Sequence, residues 1–178
     1  MRITTGKLRH RIIKMTNLET TRETQDKVRM AIFNMLGQYF DGGKCLDLFA
    51  GSGAMGIEAY SRGMEYVYLN DLNKDALKVC KENCQSLDIL DNFKLTNQDY
   101  VDFSNSCNEL FDLIILDPPY KMDNISEILE VVYKLSKPGT NIIFEMSTNS
   151  IYPESLHDLK LLKVKKYGIK NVCLYRRS

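Results

Sequence analysis

The sequence of 178 residues predicts a doubly wound α/β fold with a mostly parallel sheet. Short apolar runs alternate with amphipathic segments, the pattern of strands joined by helical crossovers. A glycine-rich turn, Gly51–Gly56, connects the first apolar run of this pattern to a helical segment. The length fits a single domain. We expect residues 1–40 to form a basic extension with a helix, and residues 41–178 to form the core.

The sequence of the extension predicts two secondary-structure elements. Met1–Met15 shows a strand-like start, a turn at Gly6 and a second extended stretch over Arg9–Lys14, which predicts a basic β-hairpin. Thr24 is a good helix N-cap, and apolar residues from Val28 to Leu36 then recur at helical spacing. The pair Gly42-Gly43 is expected to stop this segment.

The sequence of the core predicts alternating strands and helices, followed by a hairpin. Apolar runs bounded by turn residues predict five strands: Lys44–Phe49, Glu65–Asn70, Phe93–Thr96, Leu110–Leu116 and Asn141–Glu145. Amphipathic spacing predicts three helices: Ala54–Arg62, Lys74–Leu87 and Ile125–Leu135. The two β-rich runs around Gly168 predict an antiparallel hairpin: Leu159–Lys166 and Val172–Arg176.

Charge is unevenly distributed, although the net charge is only +1. Residues 1–30 carry eight Lys/Arg against three Asp/Glu, residues 31–158 carry nine against twenty, and residues 159–178 carry seven against none. An acidic body with basic ends is typical of a protein that contacts phosphate backbones with its termini. The alternative is a charge distribution that only aids solubility.

Several classes of protein do not fit the composition. No segment approaches the roughly 18 apolar residues of a membrane span, and no apolar segment follows the basic start as in a signal peptide. The five cysteines lack CxxC spacing, and Cys80 and Cys84, one helical turn apart, have no third ligand nearby in sequence. We therefore expect buried thiols, no metal, no membrane contact and a cytoplasmic location.

The most informative motif is Asp117-Pro118-Pro119-Tyr120, which directly follows the buried strand Leu110–Leu116. Ligands bind at the carboxyl edge of such a sheet. Two prolines fix two φ angles and remove two N–H donors, leaving a stiff loop with a carboxylate, bare carbonyls and an aromatic ring. Asp117 and the Pro118 carbonyl can accept hydrogen bonds from an exocyclic amine while Tyr120 stacks on the base. A Pro-rich turn with a surface tyrosine is the alternative.

The glycine turn has two interpretations. Gly51, Gly53 and Gly56 match the dinucleotide fingerprint, and Asp71 lies at the distance of its ribose-binding acid. However, Asp47 in the first strand would repel a pyrophosphate and can pair with the cationic end of S-adenosylmethionine. Asp71 would then accept hydrogen bonds from the ribose, and Asp99 from the adenine amine. The chain is also too short for a separate substrate domain, which argues against a dehydrogenase.

The motif Asp47-Leu48-Phe49-Ala50-Gly51-Ser52-Gly53, together with Asp117-Pro118-Pro119-Tyr120, resembles class I S-adenosylmethionine-dependent methyltransferases acting on exocyclic amines. More narrowly, the chain resembles RsmD-type 16S rRNA guanine-N2 methyltransferases. This narrower resemblance rests on Arg22–Arg29 with Phe33-Asn34, on Gly6–Arg9 and on Tyr167-Gly168, so it covers nearly the whole chain. Two departures are Glu23, where proline is common, and Asn73, where the family has an acidic residue.

The resemblance implies direct, in-line methylation of one guanine N2 in small-subunit rRNA, within a partly or fully assembled particle. The product would be S-adenosyl-L-homocysteine, with no metal or covalent intermediate, and a paired guanine would have to be flipped out. We expect a monomer. The implied cofactor-binding residues are Asp47, Ala50, Gly51, Ser52, Gly53, Gly56, Asp71, Leu72, Asp99 and Tyr100. The implied catalytic residues are Asp117, Pro118, Pro119 and Tyr120. Phosphate contacts are expected from Lys7, Arg9, Arg11, Lys14, Arg22 and the lysine-rich tail.

Other functions remain open from the sequence. Methylation of adenine N6 or cytosine N4 would use the same Asp-Pro-Pro-Tyr loop. A glutamine amide in a protein is a further possible acceptor, although that class has Asn in place of Asp117. A non-catalytic RNA-binding assembly factor on the same fold is the alternative from a different class.

Overall fold

The computed structural model describes residues 1–16, 26–119 and 121–178, and gives only the backbone of Lys27. Within these ranges no helix has the length and apolar character needed to cross a bilayer.

The helices are α1 (Asp26–Leu36), α2 (Ala54–Ser61), α3 (Lys74–Ser86), α4 (Tyr100–Ser106) and α5 (Ile125–Lys134), with a 3-10 turn at Leu90–Asn92. The strands are β1 (Lys44–Asp47), β2 (Tyr66–Asn70), β3 (Phe93–Thr96), β4 (Phe111–Leu116), β5 (Ser136–Ser147), β6 (Ser155–Leu156), β7 (Leu159–Tyr167) and β8 (Lys170–Arg177).

The strands form one sheet in the order β3-β2-β1-β4-β5-β8-β7-β6. The pairs from β3 to β5 are parallel, and β8, β7 and β6 add antiparallel. This confirms the predicted α/β class and its antiparallel tail. The reversal in strand order between β1 and β4 places a crevice at the carboxyl edge of the sheet, where ligands of such folds bind.

Both faces of the sheet are covered. One apolar cluster packs α1, α2, α3 and the start of the chain against one face, and the other packs α4 and α5 against the opposite face. The central strands are therefore buried on both sides, as the continuous apolar run Leu113–Leu116 requires.

The start of the chain folds back on α2. Arg2 and Ile12 form an antiparallel bridge, and backbone N–H groups of Ile3 and Ile13 donate to the carbonyls of Arg11 and Met1 at 2.9 Å, so the two arms of the expected hairpin pair around a turn at Gly6. Gly6 has a φ of 86°, and a Cβ there would lie 1.8 Å from the Ser61 carbonyl oxygen. Only glycine fits this contact, because the turn lies directly against the end of α2.

Buried charged groups hold the start of the chain against α1 and α2. The Glu58 carboxylate is fully buried and accepts hydrogen bonds from the N–H groups of Thr4 (2.9 Å) and Thr5 (3.1 Å). It also pairs with Arg62 at 2.9 Å and with Arg29 at 3.4 Å. Burial lowers the pKa of Arg29, opposed by the nearby Glu58. One carboxylate thus ties the extension, α1 and α2 together.

Two boundaries differ by several residues from those predicted, and one helix is additional. Helix α1 ends at Leu36, before the predicted Gly42-Gly43 stop, because Gly37 adopts a φ of 100°. The fifth strand starts at Ser136, before Pro138-Gly139, and accommodates these residues by a shift in pairing register with β4. Helix α4 was not predicted from the sequence. The predicted N-cap Thr24 lies outside the described residues.

Candidate active site

A cavity of about 410 Å³ lies at the carboxyl edge of β1, β2 and β4. Its volume is within the range of ligand pockets, about 300–1,000 Å³. Polar groups come from strand ends and the turns that follow them, whereas the rest of the wall is apolar. The lining residues are Leu48, Phe49, Asn70, Asp71, Leu72, Asn73, Gln98, Asp99, Tyr100, Asp117, Pro118, Pro119 and Met122.

Asp71 joins the glycine turn to the end of β2. Its Oδ2 accepts a hydrogen bond from Gly51 N (2.9 Å), and its Oδ1 accepts one from Asn73 N (2.8 Å). Asn73 in turn caps α3, because its side-chain oxygen accepts from Asp75 N at 2.9 Å. The carboxylate is therefore held in one orientation at the cavity wall, and its remaining lone pairs can accept from ligand hydroxyls.

The Asp47 carboxylate lies next to the glycine turn, at the start of α2. The side chain is buried, and its carboxylate accepts a hydrogen bond from Gly56 N at 3.0 Å, in the first turn of α2. A Cβ on Gly56 would lie 2.4 Å from Leu69 Cδ2, so this helix packs tightly on the sheet. Along the described part of the chain, the cavity wall does not include Asp47, Ala50, Gly51, Ser52, Gly53 or Gly56. Their roles toward a cofactor stay predictions.

Asp99 and Tyr100 also line the cavity. Asp99 caps α4, since its Oδ1 accepts from Val101 N at 2.9 Å. The Tyr100 hydroxyl donates to Glu127 Oε1 (2.9 Å) and accepts from Asn124 Nδ2 (2.8 Å). Burial, and then the hydrogen bond to Glu127, raises the pKa of Tyr100. The phenol therefore stays a donor at neutral pH, and its ring is fixed beside the cavity.

The loop after β4 lines the cavity through Asp117, Pro118, Pro119 and Met122. Asp117 comes directly after the last residue of β4, Pro118 is buried and Pro119 is exposed. Tyr120, which was predicted to stack on the acceptor base, lies outside the described residues.

Lys170 was not foreseen from the sequence. It is the first residue of β8 and pairs in register with Ser147 at the end of β5, which brings it to the same edge as Asp117. Its Nζ lies 3.3 Å from Asp117 Oδ1 and 2.9 Å from Glu145 Oε2. The side chain of Glu145 is only 1% exposed, so this cation lies between a buried carboxylate and the one at the cavity.

Asn70 is a second residue that the sequence did not single out. Its Nδ2 donates to the carbonyl oxygens of Leu48 (3.2 Å) and Gln98 (3.0 Å), and its Oδ1 accepts from the Thr96 hydroxyl (2.9 Å). It therefore ties together the segments that follow β1 and β3. An asparagine at a strand end has no sequence signal that separates it from an ordinary turn residue.

The predicted phosphate-binding residues Lys7, Arg9, Arg11 and Lys14 are all exposed. Lys7 places its Nζ 3.4 Å from the centroid of the Tyr60 ring, and its N–H donates to the Ser61 carbonyl. Arg11 donates to the Ser86 carbonyl at 3.1 Å, and Lys14 pairs with Glu82 at 2.8 Å. Ser61 ends α2, so Lys7 lies roughly 12 Å along that helix from the glycine turn. Arg22 lies outside the described residues.

Metal ligands are not brought together in the ranges 1–16, 26–119 and 121–178, where no group of three or more His, Cys, Asp or Glu side chains could hold an ion. His157 Nε2 lies 2.9 Å from Glu130, a pair that does not line the cavity. Cys45, Cys80, Cys84 and Cys173 are buried and form no disulfide among the described residues.

Comparisons with known proteins agree with this geometry. Residues 1–176 match the family described as Conserved hypothetical protein 95. YlbH of Bacillus subtilis, provisionally named as an rRNA methyltransferase, is 35% identical over 99% of both chains. Ribosomal RNA small subunit methyltransferase D of Haemophilus influenzae is 33% identical, covering 99% of this chain and 93% of that protein. Among solved structures, yhhF of Escherichia coli matches with a TM-score of 0.87 at 25% identity, over 100% of this chain and 98% of that one.

Proposed function

The chain belongs to the RsmD-type methyltransferase family, and on that premise we propose that it methylates N2 of one guanine in small-subunit rRNA, using S-adenosyl-L-methionine. One observation carries the proposal: Asp71 and Asp117 lie on the wall of one cavity, at the carboxyl edge of the sheet. A donor and an acceptor base need such a shared cavity, since the reacting atoms must be close and aligned.

The lining residues fit S-adenosyl-L-methionine. Asp71 would accept hydrogen bonds from the ribose hydroxyls, and Leu72 and Phe49 offer apolar surface to the adenine ring. Asp99 and Tyr100 lie where the adenine amine would be held. When bound, the cofactor supplies a methyl group activated by a positively charged sulfur.

The loop at Asp117 would hold the acceptor base. The carboxylate and the Pro118 carbonyl accept hydrogen bonds from the exocyclic amine, which localises the nitrogen lone pair and aims it. Lys170 fixes the carboxylate from the opposite side, through the contact of 3.3 Å. The proton released by the amine would pass to Asp117 or to water.

The RNA substrate is supported by the relatives and by the charge pattern. The Haemophilus influenzae relative is named as a methyltransferase of small-subunit rRNA. Residues 159–178 of this chain contain seven Lys/Arg and no Asp/Glu. We propose an assembled or partly assembled small subunit as the substrate particle. Its guanine would be flipped out of the stack to reach Asp117.

Adenine N6 and cytosine N4 are the competing acceptors, because a carboxylate beside a carbonyl oxygen binds any exocyclic amine. Guanine N2 is preferred here on family membership, not on a contact in the described residues.

The proposal is tested by methyl transfer from labelled S-adenosyl-L-methionine to small subunits and to protein-free 16S rRNA. We expect transfer by the wild-type protein and none by Asp117→Ala, with the cofactor affinity of the variant unchanged. Asp102→Ala is a matched control, because Asp102 is an exposed carboxylate on α4. Transfer by Asp117→Ala at the wild-type rate would refute the assigned role.

A further inference from the structure

The tip of the β7–β8 hairpin lies at the edge of the sheet that carries the cavity. β7 ends at Tyr167 and β8 begins at Lys170, opposite Ser147 at the end of β5. The Ile169 carbonyl accepts a hydrogen bond from Thr148 N at 3.0 Å, which joins the tip to the loop after β5. The tip is therefore fixed beside Asp117, because its neighbour Lys170 contacts that carboxylate.

Two aliphatic side chains project from this edge. Ile169 on the hairpin tip is 67% exposed, and Ile151 on the loop after β5 is 91% exposed. Ser150, which precedes Ile151, lines a small recess together with Asp117 and Lys170. Single exposed aliphatic residues are ordinary, but two on adjoining segments next to a reactive carboxylate form a local feature. We call Ile151 and Ile169 the rim pair.

Cations flank the rim pair on the hairpin. Lys163, Lys165 and Lys166 are exposed on β7. Within the part of the chain that the structure describes, none of the three forms an ion pair within 4.0 Å. Their charge is therefore available to an anionic partner, in contrast to Lys14, which pairs with Glu82 at 2.8 Å.

We propose that the rim pair is a wedge that packs against the rRNA bases next to the target guanine, while the β7 lysines bind the flanking phosphates. This inference rests on the proposed function. A base that leaves the stack exposes its neighbours, and proteins that deform nucleic acids place Ile or Leu side chains against such open base steps. Lysines beside an aliphatic pair complement a polynucleotide, since phosphates and apolar base faces alternate along it.

The first test asks whether the rim pair helps to flip the guanine out of the stack or only helps the protein to bind the particle. In Ile151→Ser/Ile169→Ser, we expect kcat on small subunits to fall by about tenfold, because unstacking is no longer compensated, with KM near the wild-type value. The affinity for S-adenosyl-L-homocysteine should be unchanged. Leu110→Ser is the matched control, since Leu110 is 45% exposed at the opposite edge of the sheet. A wild-type kcat, a change in KM alone, or an equal loss in Leu110→Ser would overturn the proposal.

The second test identifies the occupant directly. A photo-crosslinking amino acid replaces Ile151 or Ile169, and the protein is irradiated on small subunits. Crosslinks to rRNA next to the methylated nucleotide support the wedge, whereas crosslinks to a ribosomal protein or to a second copy of the chain overturn it. If the wild-type protein transfers no methyl group to rRNA, the proposed function fails and the wedge fails with it. A wild-type protein that is active while the variants are unaffected refutes the wedge alone.

Discussion

Lys170 Nζ lies 3.3 Å from Asp117 Oδ1, so a residue of the antiparallel tail contacts the carboxylate that follows the central strand β4. The same ammonium lies 2.9 Å from the buried Glu145. A cation between two carboxylates offsets their repulsion and fixes the geometry of both. Lys170 is therefore a positioning residue for the Asp117 loop.

We expect Lys170→Gln to lower kcat for methyl transfer by about tenfold, a loss comparable to one charge-assisted hydrogen bond. The dissociation constant for S-adenosyl-L-homocysteine should stay unchanged, because Lys170 does not line the main cavity wall. Lys170→Arg should restore much of the rate, since it keeps the cation. Lys81→Gln, at an exposed site on α3, is the control. No change in kcat for Lys170→Gln would refute the positioning role.

Asp71→Asn should weaken binding of S-adenosyl-L-homocysteine by about tenfold or more. The charge that holds Gly51 N and faces the cavity is lost, and such charged hydrogen bonds contribute about 1.5–3 kcal/mol. Isothermal titration calorimetry measures the effect. Asp75→Asn, at an exposed position in the first turn of α3, removes the same charge outside the cavity and should bind normally. Equal affinities for Asp71→Asn and the wild type would exclude the ribose assignment.

Two glycines with nearly the same φ angle test how closely the start of the chain packs on α2. Gly6 and Gly139 have φ values of 86° and 90°, but a Cβ would meet the Ser61 carbonyl at Gly6 and nothing within 4 Å at Gly139. Gly139→Ala should therefore lower the free energy of unfolding by about 1–2 kcal/mol, the cost of a left-handed alanine. Gly6→Ala should lower it by at least about 1 kcal/mol more, as overpacking adds to that cost. Urea denaturation compares the two, and equal losses would contradict the packing of Gly6 on α2.

The buried thiols predict an alkaline loss of stability. Burial raises the pKa of Cys84 to about 12 and that of Cys173 to about 11, from 9.0. Below pH 9 the folded and the unfolded chain both keep these protons, so the thiols do not make the free energy of unfolding depend on pH. Above pH 9 only the unfolded chain releases them, so the free energy of unfolding should fall as pH rises toward 11. Cys84→Ala/Cys173→Ala should show a shallower fall in urea denaturation at several pH values, and an identical slope would contradict the assignment.

The sequence predicted the alternation of strands and helices because local periodicity carries it. It also predicted Asp71, Asp99 and Asp117 at the cavity, since parallel strands end at one edge of a sheet. Lys170 could not be found in this way, because it is 53 residues from Asp117 and reaches it only through the pairing of β8 with β5. Register between distant antiparallel strands has no local signal.

Asp47 illustrates a second limit. Its place at the end of β1 was evident from the sequence, but the direction of its side chain depends on how closely α2 packs on the sheet. Because Gly56 lets the helix approach, its N–H reaches the carboxylate at 3.0 Å, beneath the glycine turn. Side-chain direction at a strand end is decided by tertiary packing, which composition and spacing do not specify.

The protein is proposed to methylate guanine N2 in small-subunit rRNA, with the base held at the Asp117 loop. Mass analysis of nucleosides tests this activity most directly. The small subunits start without the modification and are treated with the wild-type protein and labelled S-adenosyl-L-methionine. We predict that the label appears in 2-methylguanosine from a single rRNA position and is absent after treatment with Asp117→Ala. Label in N6-methyladenosine or N4-methylcytidine, or in ribosomal protein, would contradict the account.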